Sequence, residues 1–161
     1  MKSYQIFTDG GCDPNPGPGG WAAVILPADG SPQELMGGDV DTTNNRMELL
    51  AAVEALKSLP EPAEVDLFTD SQYLKRGITE WLPNWVRRGW RTTSGKVANR
   101  DLWQALLTAS SRHSMHWHWL AGHAGHRHNE RADALVKVGR RQALRDGWHT
   151  PIEDPQKGLF D

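Results

Sequence analysis

Two tripeptides in this chain carry the same order of residues: Phe7-Thr8-Asp9 and Phe68-Thr69-Asp70. Each closes a short β-prone run with a carboxylate. If the two strands lie side by side and parallel, both aspartates emerge at one edge of a sheet, where α/β proteins place ligands. Carboxylates held that close repel each other unless a cation sits between them. Oxygen-only donors select a hard ion, Mg²⁺ or Mn²⁺, over zinc. Two further acids stand near helix starts, Glu48 and Asp133. Each of the four also has a structural explanation. Asp9 and Asp70 suit turns, Glu48 could be the capping-box partner of Asn45, and Asp133 is favoured by the helix dipole. The cation-site reading rests on the four taken together with their surroundings.

Two other clusters could do chemistry. His123 lies between Gly122 and Ala124-Gly125, and an imidazole titrating near pH ~6.5 is suited to proton transfer or product release. The competing use is a metal site made of His123, His126 and His128. His116 and His118 alternate with Trp117 and Trp119 and read as one face of a strand. Trp81, Trp85 and Trp90 interleave with Arg87, Arg88 and Arg91. Aromatic faces and cations together suit a sugar-phosphate backbone, and the same tryptophans would equally make a small local core. Residues 75–100 hold seven basic side chains against Glu80 alone, within a chain of net charge −2. Such a patch on an acidic body fits a polyanion, and equally a solvated helical face.

The elements that must position these groups follow from patterning. Residues 4–8, 21–26 and 33–36 are apolar, β-prone runs separated by Gly- and Pro-rich stretches, with Asp9-Gly10-Gly11 ending the first and residues 13–20 forming a loop. Thr42-Thr43-Asn44-Asn45 is rich in capping residues, and residues 46–59, free of Gly and Pro, form a helix stopped by Pro60 and Pro62. Residues 65–69 are a buried-type strand. A helix over 71–81 is interrupted by Pro83, and an irregular basic segment follows. Residues 99–112 place Leu102, Trp103, Leu106 and Leu107 at helical spacing; residues 115–120 are a strand, and residues 129–145 a last helix. Hairpin-like strands followed by strand–helix alternation imply a mixed sheet with helices on its faces.

The length, 161 residues, is that of one domain. The only cysteine, Cys12, excludes an intrachain disulfide. No stretch approaches the ~18 apolar residues of a membrane span, and no signal-peptide pattern opens the chain, so the expected location is the cytoplasm.

Longer motifs then accumulate: Thr8-Asp9-Gly10-Gly11-Cys12, Asn15-Pro16-Gly17-Pro18-Gly19-Gly20, Thr42-Thr43-Asn44-Asn45-Arg46-Met47-Glu48-Leu49, Thr69-Asp70-Ser71-Gln72-Tyr73, Gly122-His123-Ala124-Gly125-His126 and Asn129-Glu130-Arg131-Ala132-Asp133. In this order, over residues 4–146, they resemble the bacterial ribonuclease HI (type 1 ribonuclease H) family. The resemblance implies an α/β ribonuclease H-like fold, a five-stranded mixed sheet of order 3-2-1-4-5 with helices on both faces. It implies a catalytic domain over 1–146, with a basic protrusion about 81–100, and a C-terminal tail over 147–161. The implied activity is endonucleolytic hydrolysis of the RNA strand of RNA–DNA hybrids, leaving 5′-phosphate and 3′-hydroxyl ends.

The family's acidic ligands fall on Asp9, Glu48, Asp70 and Asp133, its mobile histidine on His123. Two Mg²⁺ ions are implied, with Mn²⁺ as a substitute, Asp9 bridging, Asp70 and Glu48 completing one ion and Asp133 the other. Asn15, Thr43 and Asn44 match backbone contacts, and Cys12, Asn45 and Gln72 match groove contacts. Trp81, Trp85, Trp90, Arg87, Arg88 and Arg91 match the protrusion that grips the DNA strand. Ala121, Arg127 and His128 depart from the family's usual residues around the histidine loop, and no N-terminal hybrid-binding domain is expected. Gln156, Leu159 and Phe160 resemble the Gln-x-x-Leu-Phe peptide that docks on bacterial sliding clamps. A monomer suffices for this chemistry. The alternatives are a non-catalytic hybrid-binding module, another nuclease of the same fold, and a general Mg²⁺ phosphatase.

Overall fold

The computed structural model describes residues 1–92, 95–121 and 126–149. His123 and the tail residues Gln156, Leu159 and Phe160 lie outside the described residues. Three strands open the chain, β1 (Lys2–Cys12), β2 (Gly17–Pro27) and β3 (Gln33–Thr42), followed by helix α1 (Asn44–Lys57) and strand β4 (Ala63–Thr69). Then come α2 (Gln72–Arg76), a π-helical turn (Gly77–Trp81), α3 (Leu82–Arg87), a small ribbon of β5 (Arg91–Thr92) and β6 (Gly95–Lys96), α4 (Arg100–Ser111), β7 (Ser114–Trp119) and α5 (Arg127–Asp146).

The main sheet has the order β3-β2-β1-β4-β7, the expected order with β7 as its fifth member. β1–β2 and β2–β3 are antiparallel, while β1–β4 and β4–β7 are parallel. On one face α1 and α4 cover a core that includes Ile6, Leu49, Val53, Leu56, Leu67 and the fully buried Trp103. On the other face α5 packs Ala132, Leu135 and Val136 against Phe7, Ala22 and Val24.

The structure corrects several boundaries. β1 does not stop at Asp9-Gly10-Gly11 but pairs onward, Gly10 with Trp21, Gly11 with Gly20 and Cys12 with Gly19. These glycines are strand residues under close-packed helices, not turn residues. Pro83 does not interrupt the helical run. Lacking an N–H, it sits in the first turn of α3, and the preceding turn widens so that Leu82 N–H reaches Gly77 O, an i→i−5 bond. α1 is capped by Thr43, whose hydroxyl accepts from Arg46 N at 3.2 Å, so Glu48 is not the capping-box partner of Asn45. At the C-terminal end, residues 147–149 are not all tail. Trp148 O accepts from Val40 N at 2.9 Å, and His149 Nδ1 lies 2.9 Å from the buried Asp39 Oδ1.

Candidate active site

The parallel pairing of β1 with β4 sets Ile6 beside Leu67 and Phe7 beside Phe68, so Asp9 and Asp70 leave the sheet as neighbours. The two phenylalanine rings stack at 4.6 Å beneath them. Glu48 joins from α1 because Gly10 has no side chain. A Cβ there would stand 2.4 Å from Met47 C and 2.5 Å from Glu48 N, so only glycine lets β1 touch the backbone of α1 at this level. Asp133 joins from α5 by the same device. A Cβ at Gly20 would meet Val136 O at 2.1 Å, and α5 therefore lies directly on β2.

The electrostatics follow from this crowding. Burial, then the Asp70 charge, raise the Asp9 pKa from 3.8 to about 8, and Asp133 adds both its charge and a hydrogen bond. Burial also pushes Glu48 up, opposed by a hydrogen bond from Ser71 Oγ to Glu48 Oε2. Ser71 is itself fixed as the cap of α2, its oxygen accepting from Leu74 N at 3.0 Å. Asp133 Oδ2 faces Lys137 Nζ at 3.6 Å. A cluster that retains a proton at neutral pH is one a cation would relieve, and the all-oxygen donor set suits a hard divalent ion. Among the described residues no three of these donors yet converge on a single point.

Of the residues expected to touch nucleic acid, Cys12, Asn15 and Asn44 are linked to one another. Cys12 N–H donates to Asn44 Oδ1 at 2.6 Å, and Asn44 N–H donates to Asn15 Oδ1 at 3.2 Å. The Cys12 thiol is ringed by the carbonyls of Pro14, Gly17 and Thr42. Both polar groups of Cys12 are thus engaged in holding the loop that carries Asn15. Asn45 and Gln72 are exposed, as are Arg87, Arg88 and Arg91. Trp81, Trp85 and Trp90 are half-buried and form a continuous array: Tyr73–Trp81 at 5.5 Å, Trp81–Trp85 at 5.9 Å, Trp85–Trp90 at 6.2 Å, with Trp85 also on Trp103 at 5.6 Å. The array packs on the core through Tyr73 and Trp103 and leaves part of each ring exposed. His116 and His118 face Glu64 and Asp66, at 3.4 and 2.7 Å.

Three positioning residues escaped sequence reasoning. Ser71 holds Glu48. Arg140 Nε donates to Asp13 O at 3.0 Å and Pro18 O at 3.3 Å, tying the 13–18 loop to α5. Asn99, in the left-handed region at φ 58, accepts from Arg46 Nη1 at 3.2 Å and donates to Tyr73 Oη at 3.0 Å. Only Ser71 left a signal, as a capping residue directly after Asp70. Arg46 also forks onto the buried Asp101 at 2.7 and 3.0 Å, joining the start of α1 to that of α4. Removing the guanidinium strands a buried carboxylate. Arg46→Ala is therefore expected to cost about 3 kcal/mol, a fall of about 6–12 °C in melting temperature. The double change Arg46→Met with Asp101→Leu should recover most of it in thermal denaturation.

A mixed sheet whose two central parallel strands deliver acids to one edge, joined by acids from a helix on each face, is the frame of a hydrolase of the nuclease class. The chain belongs to the RNase H family, whose model, described as RNase H, matches residues 1–141. A protein named ribonuclease H from Chelativorans sp. (strain BNC1) is 61% identical over 140 residues, covering 86% of each chain. One of the same name from Hahella chejuensis (strain KCTC 2396) is 52% identical over 145 residues, 89% of this chain and 97% of its own. Among solved structures, LC9-RNase H1, described as a type 1 RNase H with the type 2 active-site motif, matches with a TM-score of 0.80 at 30% identity, covering 88% of this chain and 74% of that one. LC11-RNase H1, solved in complex with RNA/DNA hybrid, shares the fold with a TM-score of 0.66 at 23% identity, over 88% and 99% of the two chains. The family is in general dependent on divalent metal ions. Among the described residues no helix is long and apolar enough to cross a membrane.

Proposed function

We propose that this chain cuts the RNA strand of RNA–DNA hybrids internally, with Asp9, Glu48, Asp70 and Asp133 as the residues that hold its divalent ions, Mg²⁺ by preference. The observation that carries this reading is the junction of Asp9 with Asp70 and Asp133, crowded enough to keep a proton on Asp9 to about pH 8. Ions held there would supply activation of a water and charge neutralisation on the scissile phosphate and leaving oxygen, giving 5′-phosphate and 3′-hydroxyl ends. The chain's own residues do the rest. Asp9, central in the cluster, would help hold the ions, with Asp70 and Glu48 contributing from one side and Asp133 from the other. Ser71 keeps Glu48 turned inward, where its carboxylate can also meet a ribose 2′-hydroxyl, the group that distinguishes RNA from DNA. The catalytic domain ends where α5 and its 147–149 extension end. His123 acts in proton transfer or product release, and the residues after 149 provide a partner-docking tail.

Asn15, Thr43 and Asn44 line up at the start of α1, where backbone N–H groups favour a phosphate. The tryptophan array and Arg87, Arg88 and Arg91 grip the second strand. One assay tests the whole: cleavage of RNA–DNA hybrid, duplex RNA, duplex DNA and a small phosphoester, each with and without Mg²⁺. Cutting confined to the hybrid with Mg²⁺ is the expected result, and equal cutting of the small ester overturns it. Replacing Arg87, Arg88 and Arg91 together by Ala is expected to weaken hybrid binding about tenfold or more near 0.1 M salt and to flatten its salt dependence. A wild-type-like salt response from that triple variant, read by fluorescence anisotropy, removes these residues from the interface.

A further inference from the structure

Beyond Asp133, α5 carries Lys137 and Arg141 at successive steps of four residues, so the three side chains form one stripe about 12 Å long. The stripe borders an open cleft of about 390 Å³ whose lining includes Cys12, Asp13, Asp133, Lys137, Arg140 and Arg141. Lys137 is 3.6 Å from Asp133 and neutralises it. Arg140 is spent on the carbonyls of Asp13 and Pro18 as donor, yet keeps its charge on the cleft wall. Arg141 is exposed and forms no ion pair among the described residues. The carboxylate of Asp13 opposes these charges, leaving a net positive cleft.

Its position gives the cleft a ligand. It opens onto Asp133 and onto the loop that presents Asn15, and it lies on the α5 face of the sheet. The tryptophan–arginine segment is packed on the opposite face, with α1 and α4. A strand that presents its scissile phosphate to Asp9, Asp70 and Asp133 continues past one side or the other of that cluster. On the α5 side the wall of the cleft beside Asp133 carries Lys137 and Arg141. We propose that this cleft is a second phosphate-backbone subsite for the polynucleotide substrate, with Arg141 as its contact cation and Lys137 shared between the phosphate and Asp133. The inference rests on the hybrid-cleaving reading above.

The test is binding of a labelled RNA–DNA hybrid by fluorescence anisotropy without divalent metal, across a salt series. The proteins are wild type, Arg141→Ala, Arg141→Glu, Arg141→Lys and Arg145→Ala. Loss of one phosphate contact lowers the slope of log K against log salt by about 0.9 and the affinity about fivefold near 0.1 M salt. Arg141→Ala should show both, Arg141→Glu should bind more weakly still, and Arg141→Lys should keep the slope. Arg145 lies on the same helix outside the cleft, paired with Asp146 at 3.2 Å, and its replacement should move the slope by less than half as much. Unchanged slope and affinity in Arg141→Ala and Arg141→Glu, or an equal effect from Arg145→Ala, overturns the subsite while wild type still cuts the hybrid. Failure of wild type to cut the hybrid with Mg²⁺ overturns the functional reading instead, whatever Arg141 does. Thermal melting of each variant confirms that fold loss is not the cause.

Discussion

Replacing Asp9 by Asn is expected to remove hybrid cleavage, by about 10³-fold or more, while making the metal-free protein more stable at alkaline pH. The two effects share one cause. Burial and the neighbouring acids keep the proton on Asp9 up to about pH 8, while the unfolded chain releases it near 3.8. Between those values the folded state binds more protons than the unfolded state, so stability falls as pH rises from about 4 to about 8. At about 1.4 kcal/mol per pH unit the full interval sets a ceiling near 6 kcal/mol. Relaxation of the neighbouring carboxylates reduces this, and about 3 kcal/mol is expected. Asparagine never charges, so the variant keeps that stability. Denaturant unfolding at pH 5 and pH 8.5 reads the sign directly: near equality with wild type at pH 5, and an advantage for the variant at pH 8.5. Adding Mg²⁺ should reverse the order by stabilising wild type preferentially. Near-normal cleavage by the folded Asp9→Asn protein, or by Asp70→Asn, would sink the assignment of the carboxylates.

Gly10→Ala is the second large effect, and it touches no catalytic group. The added methyl would lie 2.4–2.6 Å from the backbone of Met47 and Glu48, atoms that cannot rotate away. β1 and α1 must separate, at a cost of about 2–4 kcal/mol. Separation carries Glu48 away from Asp9, and a displacement near 1 Å at such a site costs about 10²-fold in rate. The adjacent Gly11→Ala is the control. Its methyl would meet only Val136 Cγ1, at an ordinary 3.6 Å, so stability within about 1 kcal/mol of wild type is expected. Hybrid-cleavage rates at saturating Mg²⁺, with melting temperatures for both variants, separate the two. Equal behaviour of Gly10→Ala and Gly11→Ala refutes the close-contact account.

The main strands, the helices and four candidate acids were legible in the sequence alone, because each leaves a local mark. A short apolar, β-prone run marks β1, a buried-type run marks β4, a Gly- and Pro-free run marks α1, and the repeated Phe-Thr-Asp marks where two carboxylates leave two strands. Motifs around those residues led to the family, and the family model covers residues 1–141. The contacts that bring these acids to one end of the sheet were decided only in three dimensions. Gly10 and Gly20 looked like turn residues until α1 and α5 were seen resting on them, since a glycine needed for close approach has the same sequence signature as one needed for a turn. Ser71, Asn99 and Arg140 act across 23, 53 and more than 100 residues of chain, on Glu48, Arg46 and the 13–18 loop. Periodicity carries no information about such partners, because it reports which face of an element is buried and not what lies against it. The proton retained by Asp9 belongs to this second kind of fact, for it exists only where separate strands and helices bring their charges together.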